Sequence, residues 1–144
     1  VVSFCQVWNA LEQTKLSKYF FDVNSSKQPY YTIRDSEMRI SSLSMFKTGI
    51  FPMWEDPKNA RGSEFQISFE QGNLISLEEL GNLWEKVVYK IISQELVKSD
   101  EITGARVVDK CKAGLIRYRI EIWFTTNVIN DKDVQQNLLN ELVN

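Results

Sequence analysis

The sequence contains no histidine. That removes the imidazole general base, any triad built around one, and any zinc site with imidazole ligands. Cysteine is nearly as scarce. Cys5 and Cys111 are the only two, far apart and outside any C-x-x-C spacing, so reduced thiols in a cytosolic setting are expected, with a single disulfide as the other option. There is no glycine-rich phosphate cradle and no cluster of metal-ligating residues, so no catalytic residue, metal or cofactor is expected. No apolar run approaches the roughly 20 residues of a membrane span, and no signal peptide is visible. Excess charge is lacking too: the net value is −2, so no global field draws the chain onto nucleic acid and any such contact must come from a local patch.

What is present is an ordinary globular balance. Hydrophobic residues make up 43% and charged residues 25% of 144 residues, which suits a single domain, 1–144, with one core. The chain opens on Val-Val, already inside an apolar pattern and without methionine, so upstream residues are expected. Phe4, Val7, Trp8 and Leu11 follow helical spacing over Val2 to Glu12. Gln13 to Glu37 is polar and aromatic by turns, with a turn at 24–26 and Pro29 opposing a central strand. Met38 to Lys47 and Glu64 to Phe69 alternate as strands. Between them, Gly49 to Ser63 reads as a long loop, the kind that in compact domains tends to be functional. Ser76 and Glu79 form a capping box ahead of a helix predicted over Leu77 to Leu96. Its apolar stripe is Leu80, Leu83, Trp84, Val87, Val88, Ile91 and Ile92. Ile102 to Lys112 and Leu115 to Thr125 read as antiparallel strands joined around Ala113-Gly114. An amphipathic helix, Asp131 to Val143, follows. The class is α+β: an antiparallel sheet with helices on one face.

The most informative stretch is Met45 to Gly62, MFKTGIFPMWEDPKNARG. It sets Trp54, a large π face, beside Glu55, a carboxylate, on a loop bounded by proline and glycine. A guanine methylated at N7 carries positive charge, so stacking on indole gains a cation–π contribution of roughly 0.5–2 kcal/mol. Its N1–H and N2–H₂ donors match a carboxylate bidentately. Composition alone leaves the alternative that Trp54 anchors a core and Glu55-Asp56 is a solvated turn.

The ordered matches Phe46-Lys47, Gly49-Ile50, Pro52 through Asp56, Asn59 and Arg61-Gly62 resemble the signature of the eukaryotic translation initiation factor 4E family. The similarity continues more loosely through Leu83-Trp84, Gly104-Ala105, Ile122-Trp123, Thr125-Thr126 and the closing helix. The resemblance implies a curved antiparallel sheet, helices on its convex face and a pocket for the 7-methylguanosine cap of messenger RNA on the other. Trp54 is then one of two stacking tryptophans and Glu55 binds the Watson–Crick edge. Trp123 sits at the N7 methyl and Met53 joins them in the cap site. Lys110 and Lys112, with Arg61, contact the cap phosphates. Arg106, Arg117 and Arg119 are candidates for the RNA backbone only.

Four departures bear on this. The family's first stacking tryptophan precedes the first helix, in a region absent here, and its final strand and cap-facing loop are absent beyond the closing helix. Glu64 stands where a basic residue is usual near the phosphates. The aromatic stretch with Tyr19, Phe20, Phe21, Tyr30 and Tyr31 is extra, a divergence similar to that of kinetoplastid members, whose cap carries additional methylated nucleotides. On the helical face, where the family receives a scaffold factor of the 4G type, the resemblance places Val1, Cys5, Trp84, Glu85 and Tyr89. Cys5 replaces an aromatic anchor there, and Trp8 is a second candidate for that role. The expected protein is a cytoplasmic recognition module for capped, including hypermethylated, RNA, with no membrane or DNA partner. The rival is a family member with an impaired cap site that works through its helical face.

Overall fold

A computed structural model describes residues 2–143 and, of Val2, Ser3 and Cys5, the backbone alone. The expected roles of Val1 and Cys5 therefore lie outside the described residues. The longest helix shows how local sequence sets the fold. Ser76 stays extended, its hydroxyl accepts the Glu79 backbone N–H, and the Glu79 carboxylate accepts the Ser76 N–H in return. Helix α2 then runs Leu77–Ile92. It stops short of Leu96 because Gln94 turns into the left-handed region at φ 60°, where a helix cannot continue. Leu80, Trp84, Val87 and Val88 bury one stripe of it.

Helix α1 spans Val2–Leu11, and α3 spans Lys132–Val143 with Val134, Leu138 and Leu142 buried. The main sheet has four antiparallel strands, β3 (Ser42–Phe46), β4 (Ser63–Phe69), β5 (Ile102–Asp109) and β6 (Tyr118–Phe124), in the order β3-β5-β6-β4. A separate hairpin pairs β1 (Tyr31–Ile33) with β2 (Ser36–Met38). The expected strand from Met38 to Lys47 is thus split. Met38 closes the hairpin and only Ser42–Phe46 joins the sheet, the break falling where the alternation loses phase at Ile40 and Leu43.

Alternation sorts the sheet's two faces. Phe65, Phe69, Ala105, Val107, Tyr118, Ile120, Ile122 and Phe124 turn toward the helices and form the core with α2 and α3. Trp8 of α1 joins them, its ring 6.3 Å from that of Trp84. Both tryptophans are buried. Trp84 therefore cannot serve as a partner-binding surface residue, and Trp8 cannot replace the missing anchor. On the outer side of α2 the exposed positions are those left over by the stripe, among them Tyr89.

The extra segment is fastened to the core by buried Leu16 and Phe20 and by one carboxylate. The buried Asp109 carboxylate accepts the backbone N–H groups of Phe21 and Cys111 at 2.9 and 2.8 Å and pairs with Arg39 at 3.3 Å. The Tyr118 hydroxyl donates to the Phe21 carbonyl. Cys111 is a buried free thiol, and burial pushes its pKa up to about 11.

Candidate functional site

The loop between β3 and β4 is built around two buried polar residues. Asp56 accepts the backbone N–H groups of Phe51 and Lys58, both at 2.9 Å. Those backbone bonds hold its carboxyl below the usual carboxylate range. Asn59 donates through Nδ2 to the carbonyls of Phe51 and Met53 at 2.9 and 3.0 Å. At the loop's exit, Gly62 packs so closely on β6 that a Cβ there would lie 1.8 Å from the Phe124 carbonyl oxygen. Composition alone left open a solvated turn at Glu55-Asp56. In the fold Asp56 is instead the loop's internal anchor and only Glu55 faces solvent.

This scaffold presents Phe51, Met53, Trp54 and Glu55 outward. The Trp54 indole lies flat on Trp123, with centroids 4.1 Å apart and planes 11° from parallel. Its other face is open, the residue being 40% exposed, whereas Trp123 beneath it is 1% exposed. Trp123 is thus reached only if Trp54 moves, a relation the sequence pattern does not show. Phe46 abuts the same ring edge-on at 5.4 Å. It can do so because Gly104, opposite Trp123 in the sheet, has no side chain: a Cβ there would sit 2.3 Å from the Phe46 ring.

Around Trp123 the sheet face is charged. Register puts Arg106 and Gln66 opposite Glu121, Val108 and Ser68 opposite Arg119, and Glu64 opposite Trp123. Glu121 is fully buried. Its Oε2 receives Arg106 Nε and the Trp123 indole N–H, the latter at 3.0 Å, and its Oε1 forms an ion pair with Arg119 at 2.6 Å. The Arg106 guanidinium also lies 4.9 Å from the Trp123 ring centre. Burial would raise the Glu121 carboxyl, but the bonds from Arg106 and Trp123 and the two guanidinium charges hold it below the usual carboxylate range. Glu64 behaves oppositely. Burial and the Glu121 charge push its carboxyl up, against the pull of Arg119, Arg106 and Lys110. Glu121 was not among the expected site residues. Alternation put it on this face with Trp123, but not that two arginines would enclose it.

The expected phosphate contacts do not converge. Lys110 is exposed, its backbone N–H bonded to the Arg117 carbonyl, and so it continues the face that carries Arg117, Arg119, Glu121 and Trp123. Lys112 lies further along the β5–β6 turn, in an isolated bridge with Leu115. Strand β5 ends at Asp109, so both lysines lie beyond it. Arg61 precedes the Ser63–Phe124 pair at the opposite end of the sheet. Seven residues of β6 separate that end from Arg117, about 23 Å at strand spacing. Arg61 and Lys112 therefore cannot grip one phosphate group together.

Among the described residues there is no group of acidic or cysteine side chains that could hold a metal, and no helix long and apolar enough to cross a membrane.

The family model for eukaryotic initiation factor 4E matches residues 1–144. The chain is 36% identical over 89 residues to eukaryotic translation initiation factor 4E1 of Drosophila melanogaster, a stretch covering 61% of this chain and 32% of that protein. It is 36% identical over 83 residues to initiation factor 4E of Bos taurus, covering 57% of this chain and 36% of the relative. The matched stretch thus spans about a third of the length of these relatives. Among solved structures, Caenorhabditis elegans eIF4E-3 in complex with the 4E-binding protein Mextli superposes with a TM-score of 0.58 at 24% identity, covering 71% of this chain and 57% of that one. Ascaris suum eIF4E-3 with an m7G cap superposes with a TM-score of 0.57 at 25% identity, covering 72% and 56%. With the Pro52–Asp56 segment folded as an exposed tryptophan-glutamate loop over a shared sheet architecture, the chain belongs to the eukaryotic initiation factor 4E family.

Proposed function

We propose that this chain recognises the 7-methylguanosine cap of messenger RNA, as a non-catalytic binding module of translation initiation. The observation that carries this reading is the pairing, on one rigid loop, of an open indole face at Trp54 with the outward carboxylate of Glu55. The geometry suits a flat cationic purine that offers two adjacent N–H donors. The Ascaris relative of the same fold was solved with m7G and with m2,2,7G caps, so both kinds of cap are candidate ligands. Centroids 4.1 Å apart leave no gap for a base between Trp54 and Trp123. The base either stacks on the solvent face of Trp54 or lifts Trp54 away and takes its place over Trp123. Arg106, 4.9 Å from the Trp123 ring centre, supplies the cation nearest the stack, with Lys110 further along the same face; Met53 borders the stack, and Arg61 and Lys112 take no part in it. The capped chain, and a scaffold factor of the 4G type on the outer side of α2 at Glu85 and Tyr89, are the partners that fit this reading, in the cytoplasm.

Tryptophan fluorescence titrated with 7-methyl-GTP and with GTP tests it. Strong quenching by the methylated nucleotide alone is expected. Trp54→Ala should weaken binding about 10- to 100-fold, the usual worth of a stacked base, and Glu55→Ala similarly, without loss of fold. An equal response to both nucleotides would sink the proposal. One observation favours a second reading: Trp54 already covers Trp123, with Glu64 beside it. A site that stays shut would leave the helical face as the working surface, and titration silence together with binding of a 4E-binding peptide would identify that case.

A further inference from the structure

The sheet face beside the stacked tryptophans is rich in cations, but each of them already has a carboxylate. Arg106 donates through Nε to the buried Glu121. Arg119 pairs with the other oxygen of Glu121 at 2.6 Å. Further along, Arg117 donates through Nε to Glu70 at 2.7 Å. Lys110, exposed, lies near enough for its charge to act on the Glu64 carboxyl. Two of these acids flank the ring itself. Glu64 stands opposite Trp123 in the sheet, and Glu121 is two residues from it on the same strand.

This matters for any nucleotide whose base is stacked here, because its phosphates extend over the same face. The Glu121 side chain is completely buried, and those of Arg106 and Arg119 are only 24% and 20% exposed. A phosphate that drew either arginine away would leave a buried carboxylate short of a partner. That costs more than an ion pair at a partly exposed position contributes. A phosphate can instead approach the outer N–H groups of Arg106 with the pair intact. It then meets the charges of Glu121 and Glu64 as well, and the attraction is largely offset. Arg61 and Lys112, at opposite ends of the sheet, do not make up the difference.

We infer that Glu121 and Glu64 make this site a reader of the methylated base that takes little account of the phosphates. The ligand class is 7-methylguanine as nucleoside, as mononucleotide or at a capped end, each held with similar strength. This rests on the cap reading and assigns the affinity to one part of the cap.

The test is fluorescence titration with 7-methylguanosine, its 5′-monophosphate and 7-methyl-GTP. For the parent, the three dissociation constants should agree within about fivefold, the upper worth of an exposed ion pair. In Glu121→Gln, the preference for 7-methyl-GTP over the nucleoside should rise about tenfold, as a guanidinium becomes free to bond phosphate. Taking the ratio within one variant cancels any change in how the base is stacked. Glu64→Gln leaves the Glu121 network in place and should move the ratio the same way by a smaller factor. It decides the matter should Glu121→Gln not fold. If the parent's preference for 7-methyl-GTP exceeds the fivefold limit, or the folded variants keep the parent's ratio, the inference is overturned while the cap reading stands. If no methylated ligand binds the parent, both fall together.

Discussion

Glu64 and Glu121 stand on one sheet face and titrate in opposite directions. Folded Glu64 holds its proton to higher pH than it would unfolded. Stability is therefore lost as pH rises from the ordinary carboxylate value through the raised one. Folded Glu121 binds its proton less readily, so its contribution is present above the ordinary value and lost as pH falls through the depressed one. Glu64→Gln is expected to raise the melting temperature at neutral pH, with the gain vanishing below the ordinary carboxylate range, in thermal melts run across pH. The same variant removes a negative charge beside Lys110 and should tighten binding of nucleotide triphosphates, most visibly at low salt. Trp54 and Glu55 were legible in the sequence because the signature around them is contiguous. The Trp54–Trp123 stack and the enclosure of Glu121 were not, because they join residues far apart in the chain through sheet register and loop closure.

At the level of elements, one close approach and one helix cap carry the architecture. In α2, replacing a helical glycine with alanine ordinarily stabilises by about 0.5–1 kcal/mol. Gly81 is buried, and a Cβ there would lie 2.1 Å from the Thr14 carbonyl oxygen. Gly81→Ala should therefore destabilise, lowering the urea midpoint by forcing α2 away from the segment that follows α1. Ser76→Ala should cost about 1 kcal/mol by removing the cap hydroxyl, measured in the same unfolding experiment. The capping box, the apolar stripes and the β5–β6 pair could all be read from the chain because each depends on local spacing. The β1–β2 hairpin could not. Both of its strands are exposed throughout, so no buried face imposes alternation, and Arg34 and Asp35 at its tip adopt positive φ without glycine.

For the whole molecule, Asp109 is the polar join between the main sheet and the extra segment, beside the apolar anchors Leu16 and Phe20. Asp109→Ala leaves Arg39 and two backbone N–H groups without their acceptor, and breaking a buried pair in this way costs about 3 kcal/mol or more. Hydrogen exchange should show residues around Phe21 and the β1–β2 hairpin opening before the main sheet does. The route of the extra segment depends on the buried Leu16 and Phe20 and on this carboxylate, and it left no periodic trace in the sequence. The tryptophans carry a last consequence. All four fall into two pairs: Trp8 with Trp84 inside the core at 6.3 Å, and Trp54 with Trp123 at the surface at 4.1 Å. Each pair of indoles is close enough to couple as chromophores, so the protein contains two independent optical reporters. The circular-dichroism signature of the inner pair should persist until the fold is lost, while that of the outer pair should change with any ligand that parts its rings.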